Sequence, residues 1–112
     1  MLAQLEQPGE GRVLVVDAGG IVDTGVMGDR LAAKGVDHGW RGVVIWGAIR
    51  DSLGIKALPL GVMALSATPR RGWVAQPSTV GETLSLGGVT IRPGQWIHAD
   101  RDGLLVSEDP LN

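Results

Sequence analysis

The sequence has no cysteine, no phenylalanine and no tyrosine among its 112 residues. Without cysteine there are no disulfides, no thiolate metal ligands and no thiol nucleophile, and a reducing interior, the cytoplasm, is the expected setting. Four tryptophans are the only aromatic side chains, so platforms for stacking nucleic-acid bases are scarce. Positive charge is not in excess either. Ten Lys and Arg against twelve Asp and Glu leave a net charge of -2, which gives no basic field for direct nucleic-acid binding. No apolar run approaches the roughly 18 residues that span a bilayer, and the start MLAQLEQPGEG lacks the charged-then-apolar layout of a signal peptide, so neither nucleic acid nor membrane is an expected partner.

Glycine, by contrast, is abundant. Eighteen glycines without a collagen-like period imply tight turns and close backbone approaches within a single domain. Leu2 to Leu5 reads as the tail of a helix stopped by Pro8, Gly9 and Gly11. Arg12 to Asp17 (RVLVVD) is a β-branched run that predicts a buried strand, followed by a turn at Ala18-Gly19-Gly20. Between Gly28 and His38, Leu31, Ala32, Gly35 and Val36 recur at helical spacing, with Gly39 as the stop. Val43 to Ile49 predicts a second buried strand. Strand, helix and strand at this spacing form a βαβ unit with parallel strands. Leu60 to Ala67 predicts a third strand, and Arg70 to Val80 an exposed loop. Thr83 to Ile91 carries Gly87-Gly88 as a bulge or sharp bend. Trp96 to His98 and Leu104 to Ser107 flank an Asp102-Gly103 turn signal, so antiparallel strands are expected beside the parallel layer. The expected class is α/β, with a βαβ unit and additional antiparallel strands.

The segment GVVIWGAIRD, Gly42 to Asp51, carries most of the chemistry: a buried strand ends in an arginine and an aspartate. Ligands of α/β folds gather at the carboxyl ends of strands, where a cation and a carboxylate can hold an anionic substrate and a metal ion. The bland alternative for Arg50-Asp51 is an exposed ion pair. Gly28, Asp29, Arg30 and Leu31 open the predicted helix, and free amides there can bind a carboxylate; the alternative is a plain helix start with Asp29 in its first turn. A βαβ unit can bring these two sites together. His38 is expected near helix-terminal carbonyls and His98 as a strand residue, which leaves no histidine metal site. Asp100 and Asp102 fit the adjacent turn, and the serines lack a nucleophile-elbow setting. Arg70-Arg71 with Trp73 fits a solvated loop better than a contact with RNA or an acidic partner. The only lysines, Lys34 and Lys56, lack the apolar setting that activates a Schiff-base lysine.

GRVLVVDAGG, GDRLAAKGVDHGWRGVVIWGAIRD, LPLGVMAL, LGGVTIRPGQWIHADRDG and SEDPL, in this order, resemble the family of regulator of ribonuclease activity A and the related 4-hydroxy-4-methyl-2-oxoglutarate aldolases. The resemblance implies a compact swivelling-domain-like fold, one domain over residues 1–112 that starts in mid-helix without the family's preceding segment, and a homotrimer. One branch is implied to cleave 4-hydroxy-4-methyl-2-oxoglutarate to pyruvate and to decarboxylate oxaloacetate with Mg2+ or Mn2+. The other binds and inhibits the endoribonuclease RNase E. On this chain the aldolase pattern falls on Gly28, Asp29, Arg30 and Leu31 for the substrate carboxylate, on Arg50 for substrate and catalysis, and on Asp51 for catalysis and metal. Asp51 favours the lyase branch, in which a further acid usual three residues on is replaced here by Gly54. The ending SEDPL is similar to the regulator's.

Overall fold

The structure, a computed structural model, describes residues 2–69, 81, 83–86, 88–99 and 104–108. The chain forms two units, Met1–Val74 and Ala75–Asn112.

In the first unit a central strand organises everything else. β1 (Val13–Asp17), β2 (Gly25–Met27) and β4 (Gly61–Ala67) all pair in parallel with β3 (Gly42–Ile49). β1 runs beside Gly42 to Trp46 and β2 beside Ala48 and Ile49, so both share one edge of β3 while β4 takes the other. Apolar β-branched residues flanked by partners on both sides make β3 mostly buried. β1 departs from expectation. Its Val13 to Val16 are half-buried rather than buried, because among the described residues it pairs on one side only.

Among the described residues three helices complete the unit: α1 (Leu2–Leu5), α2 (Asp29–Asp37) and α3 (Ser52–Lys56). α2 follows from its apolar spacing and buries Ala32 and Gly35. It stops where Gly39 adopts φ +83°, a conformation glycine takes freely, and Trp40 N–H returns to the Gly35 carbonyl at 2.9 Å. His38 Nδ1 lies 2.8 Å from the Lys34 carbonyl oxygen, the helix-end role expected for it.

Leu5, Ala32 and Ile55 from the helices pack with Val43 and Ile45 of β3 and with Met27, while Leu14, Val16, Val62 and Ala64 complete the cluster. All these strand positions share one sheet face. Leu5 and Met27 are fully buried, each worth about 1.5–3 kcal/mol. The alternate face carries Val13, Val15, Val44, Trp46 and Met63, all half-buried, and Leu65 at 44% exposure.

Among its described residues the second unit has two antiparallel pairs, β5 (Leu84–Leu86) with β6 (Val89–Ile91), and β7 (Trp96–Ala99) with β8 (Leu104–Ser107). Leu86 faces Val89, with Gly88 at φ +83°, so of the expected bulge or sharp bend it is the bend that occurs, reversing the chain between β5 and β6. The Arg92 guanidinium pairs with the Glu108 carboxylate, and Gln95 Nε2 donates to the same oxygen at 2.9 Å. These hydrogen bonds to Arg92 and Gln95 hold the Glu108 carboxyl below its ordinary pKa. His98 lies in β7 as expected. The expected loop at Arg70 to Val80 and the turn with Asp100 and Asp102 lie outside the described residues. Among the described residues no helix is long and apolar enough to cross a membrane.

Candidate active site

The site forms where β2, β3 and β4 end together. The Arg50 N–H donates to the Met27 carbonyl at 2.7 Å, and the Thr68 N–H donates to the Ile49 carbonyl at 2.9 Å, extending both flanking pairings beyond β3. Asp51 then adopts φ 53°, ψ 45° and turns the chain into α3, its carbonyl accepting the Ile55 N–H at 3.0 Å. Aspartate tolerates this left-handed conformation better than most non-glycine residues. Its side chain makes no capping hydrogen bond.

Gly28 follows β2 directly and caps α2. The first helical bond runs from Ala32 N–H to its carbonyl at 3.1 Å, which leaves the amides of Asp29, Arg30 and Leu31 without helical acceptors. Gly28 is also where the two predicted sites meet. A β-carbon there would stand 2.9 Å from Asp51 Oδ2 and 3.2 Å from Arg50 Nη2. The stem of Arg50 lies over Gly25, so the side chain runs along β2 toward the start of α2.

Asp29 and Asp51 line one cleft of about 520 Å³, together with residues 52–54 and 67–69. The Asp29 carboxylate faces α3, its Oδ2 2.8 Å from where a β-carbon on Gly54 would stand. Among the described residues, the side chains of Asp29, Arg50 and Asp51 have no internal hydrogen bond or ion pair.

Arg50 itself is half-buried and does not line the cleft; its guanidinium reaches Gly28 instead. The Arg30 side chain is exposed and Leu31 packs against the core, so of these two only the backbone belongs to the start of α2. Sequence reasoning placed Asp29 in the substrate-binding start of α2, with a plain first-turn residue as the alternative, and did not see its carboxylate as the companion of Asp51. The missing information was α3, whose Gly54 lets the helix approach Asp29.

Two carboxylates without internal partners, open to one cleft, are an oxygen-donor set that suits a hydrated divalent cation. Among the described residues no cluster of three or more His, Cys, Asp or Glu side chains occurs, so such an ion would keep most of its positions for water or substrate.

Comparison with known proteins supplies the context. The RraA-like family model, Aldolase/RraA, matches residues 1–106. A protein of Laribacter hongkongensis provisionally named 4-hydroxy-4-methyl-2-oxoglutarate aldolase is 47% identical over 110 residues, covering 96% of this chain and 67% of the relative. The structure of the RNA-processing inhibitor RraA from Thermus thermophilis superposes with TM-score 0.90 at 39% identity, covering 98% of this chain and 67% of that one. A Geobacillus kaustophilus HTA426 structure described as an S-adenosylmethionine:2-dimethylmenaquinone methyltransferase gives TM-score 0.89 at 39% identity, covering 97% of this chain and 68% of that one. The chain thus spans about two thirds of the length of these relatives. On its matched length and its identity to these relatives, it belongs to the RraA-like family.

Proposed function

We propose that the chain is a divalent-metal-dependent lyase of the cytoplasm that cleaves 4-hydroxy-4-methyl-2-oxoglutarate to pyruvate and decarboxylates oxaloacetate. The names borne by its relatives differ, and a shared fold does not choose among them. The observation that carries this reading is local: Asp29 and Asp51 present unpaired carboxylates to one cleft, and the Arg50 guanidinium lies beside Asp51 at Gly28.

In this reading Asp51 would hold Mg2+ or Mn2+, mostly through waters, and Asp29 stays free of the ion. When bound, the ion supplies Lewis acidity to the 2-oxo acid. The amides at the start of α2 receive the substrate carboxylate, and Arg50 brings positive charge toward the oxygen on which negative charge develops. For the aldol substrate, the C4 hydroxyl gives up its proton, the C3–C4 bond breaks and C4 becomes a carbonyl. The electron pair passes to C3 as the enolate of pyruvate, which is then protonated at C3. Asp29 is the side chain we assign to take the hydroxyl proton, directly or through water. Loss of CO2 from oxaloacetate leaves the same enolate, so one site serves both reactions. No lysine is required.

Pyruvate release from both substrates, with Mg2+ and with EDTA, beside an Asp51→Ala variant, tests the reading. Release that requires the metal and Asp51 is expected; equal rates in all samples would eliminate it. We take the working assembly to be a homotrimer, which a mass measurement in solution checks.

The likeness to a protein described as an RNA-processing inhibitor favours a second reading, a non-catalytic regulator that binds RNase E. That reading requires binding to an RNase E homologue that persists in Asp51→Ala and ignores the metal.

A further inference from the structure

We propose that Leu53 is a specificity-determining residue of the cleft, forming an apolar wall against an alkyl substituent on the carbon that becomes the carbonyl of the departing fragment. This inference rests on the lyase reading above and adds the residue by which the cleft would discriminate among 4-hydroxy-2-oxo acids.

Leu53 is 84% exposed, whereas Ile55, two residues along the same short helix, is 3% exposed and part of the core. Two residues of helix turn a side chain to the opposite side, so burying Ile55 directs Leu53 outward. A solitary exposed leucine is ordinary. This one differs in its place, because it lines a concave cleft with Asp51 on one flank, and Ala67 and Pro69 add apolar surface to the same lining. Gly54 brings α3 against Asp29, and Leu53 on that helix lines the same cleft as both carboxylates.

The cleft therefore has two poles. One is charged, formed by Asp29 and Asp51, and suits an ion with the 2-oxo acid end of a substrate. The other gathers the apolar surface of Leu53, Ala67 and Pro69 beside Ser52 and Thr68, and that apolar surface removes an alkyl group from water when a substrate binds. A 4-hydroxy-2-oxo acid bearing a methyl group at C4 satisfies both poles. The same acid with hydrogen at C4 leaves the leucine wet. The two acids release a ketone and an aldehyde respectively, a difference common to wild type and variants, so the wall is read from the change that a Leu53 variant makes in the ratio of their kcat/KM values.

The experiment compares 4-hydroxy-4-methyl-2-oxoglutarate with 4-hydroxy-2-oxoglutarate, using wild type, Leu53→Ala and Leu53→Ser with Mg2+. Wild type is expected to prefer the methylated acid, and each variant to lose about fourfold of that preference, the factor that burying one methyl-sized group supplies. An unchanged ratio, including an equal loss for both acids, would overturn the proposal. Calorimetric binding of 2-hydroxyglutarate and 2-hydroxy-2-methylglutarate, which lack the 2-oxo group and cannot be cleaved, separates the two readings. Methyl preference in binding that depends on Leu53, with no pyruvate released by wild type, would sustain the wall and remove the lyase. Absence of binding, or binding indifferent to the methyl group, would remove the wall.

Discussion

Asp51 Oδ2 lies 2.9 Å from the point where a β-carbon on Gly28 would stand. Gly28 has φ -104° and ψ -175°, extended backbone that any residue adopts, so space rather than conformation is what its missing side chain provides. The atoms around that space are the far ends of the Asp51 and Arg50 side chains, which can move aside without disturbing the backbone.

Gly28→Ala is therefore expected to fold, with stability reduced by about 0.5–1 kcal/mol for a weaker helix cap. Displacement of both charged groups should lower kcat/KM by about tenfold or more. Denaturant unfolding and steady-state kinetics on the same preparation separate the two effects.

Asp51→Asn keeps the size of the side chain and its tolerance of the left-handed backbone while removing the charge. Pyruvate release should fall by about a hundredfold or more, with the response to added Mg2+ lost. A titration of rate against Mg2+ concentration for wild type and variant reads this directly.

The backbone of Asp51, at φ 53°, makes a separate prediction about stability. Asp51→Gly should leave stability within about 0.5 kcal/mol, since relief at a left-handed position offsets the greater freedom of glycine when unfolded. Asp51→Val should cost about 1–2 kcal/mol. Urea midpoints of the two variants, compared with wild type, provide the measurement.

Met27 is fully buried between the sheet and the helices, and its carbonyl receives the Arg50 N–H. Met27→Ala is expected to cost about 2–5 kcal/mol by opening a cavity. Leu53→Ala, at an exposed position, should change stability by no more than about 0.5 kcal/mol. Thermal unfolding of the pair distinguishes packing from exposure.

The Glu108 carboxyl titrates below its ordinary value because Arg92 and Gln95 hydrogen-bond its charged form. A folded-state pKa that is depressed contributes stability present above the ordinary carboxylate value and lost as pH falls through the folded value. The contribution is small at this fully exposed group. NMR titration should find the Glu108 carboxyl moved up toward its ordinary value in Arg92→Ala, with part of the depression kept by Gln95.

Much of this architecture was readable in the residues. β3, β4 and α2 announce themselves by apolar runs or helical spacing long enough to outweigh local ambiguity. β2 and α3 do not. Gly25–Met27 is a three-residue strand held only by its register beside Ala48 and Ile49, and Ser52–Lys56 is a five-residue helix with a central glycine that coheres because Ile55 is buried. Tertiary packing, not propensity, makes both elements. They are also the elements that shape the cleft. Hence Arg50 and Asp51 stood out at the end of a strand, whereas Asp29 as a facing carboxylate and Leu53 as a wall emerged only with α3 in place.

The dependence of three parallel strands on β3 also orders events during synthesis. β1 and α2 leave the ribosome before the strand that gives them a partner, so they can have secondary structure but no sheet until Ile49 has emerged. β4 then joins the opposite edge some twenty residues later, a separation short enough to close quickly once it is exposed. In the interval between these two arrivals Val43 and Ile45 have Leu5, Met27 and Ala32 to pack against but not yet Ile55 or Leu60, and one edge of β3 is unpaired, so it is a stretch of translation that offers a holdase chaperone a binding surface.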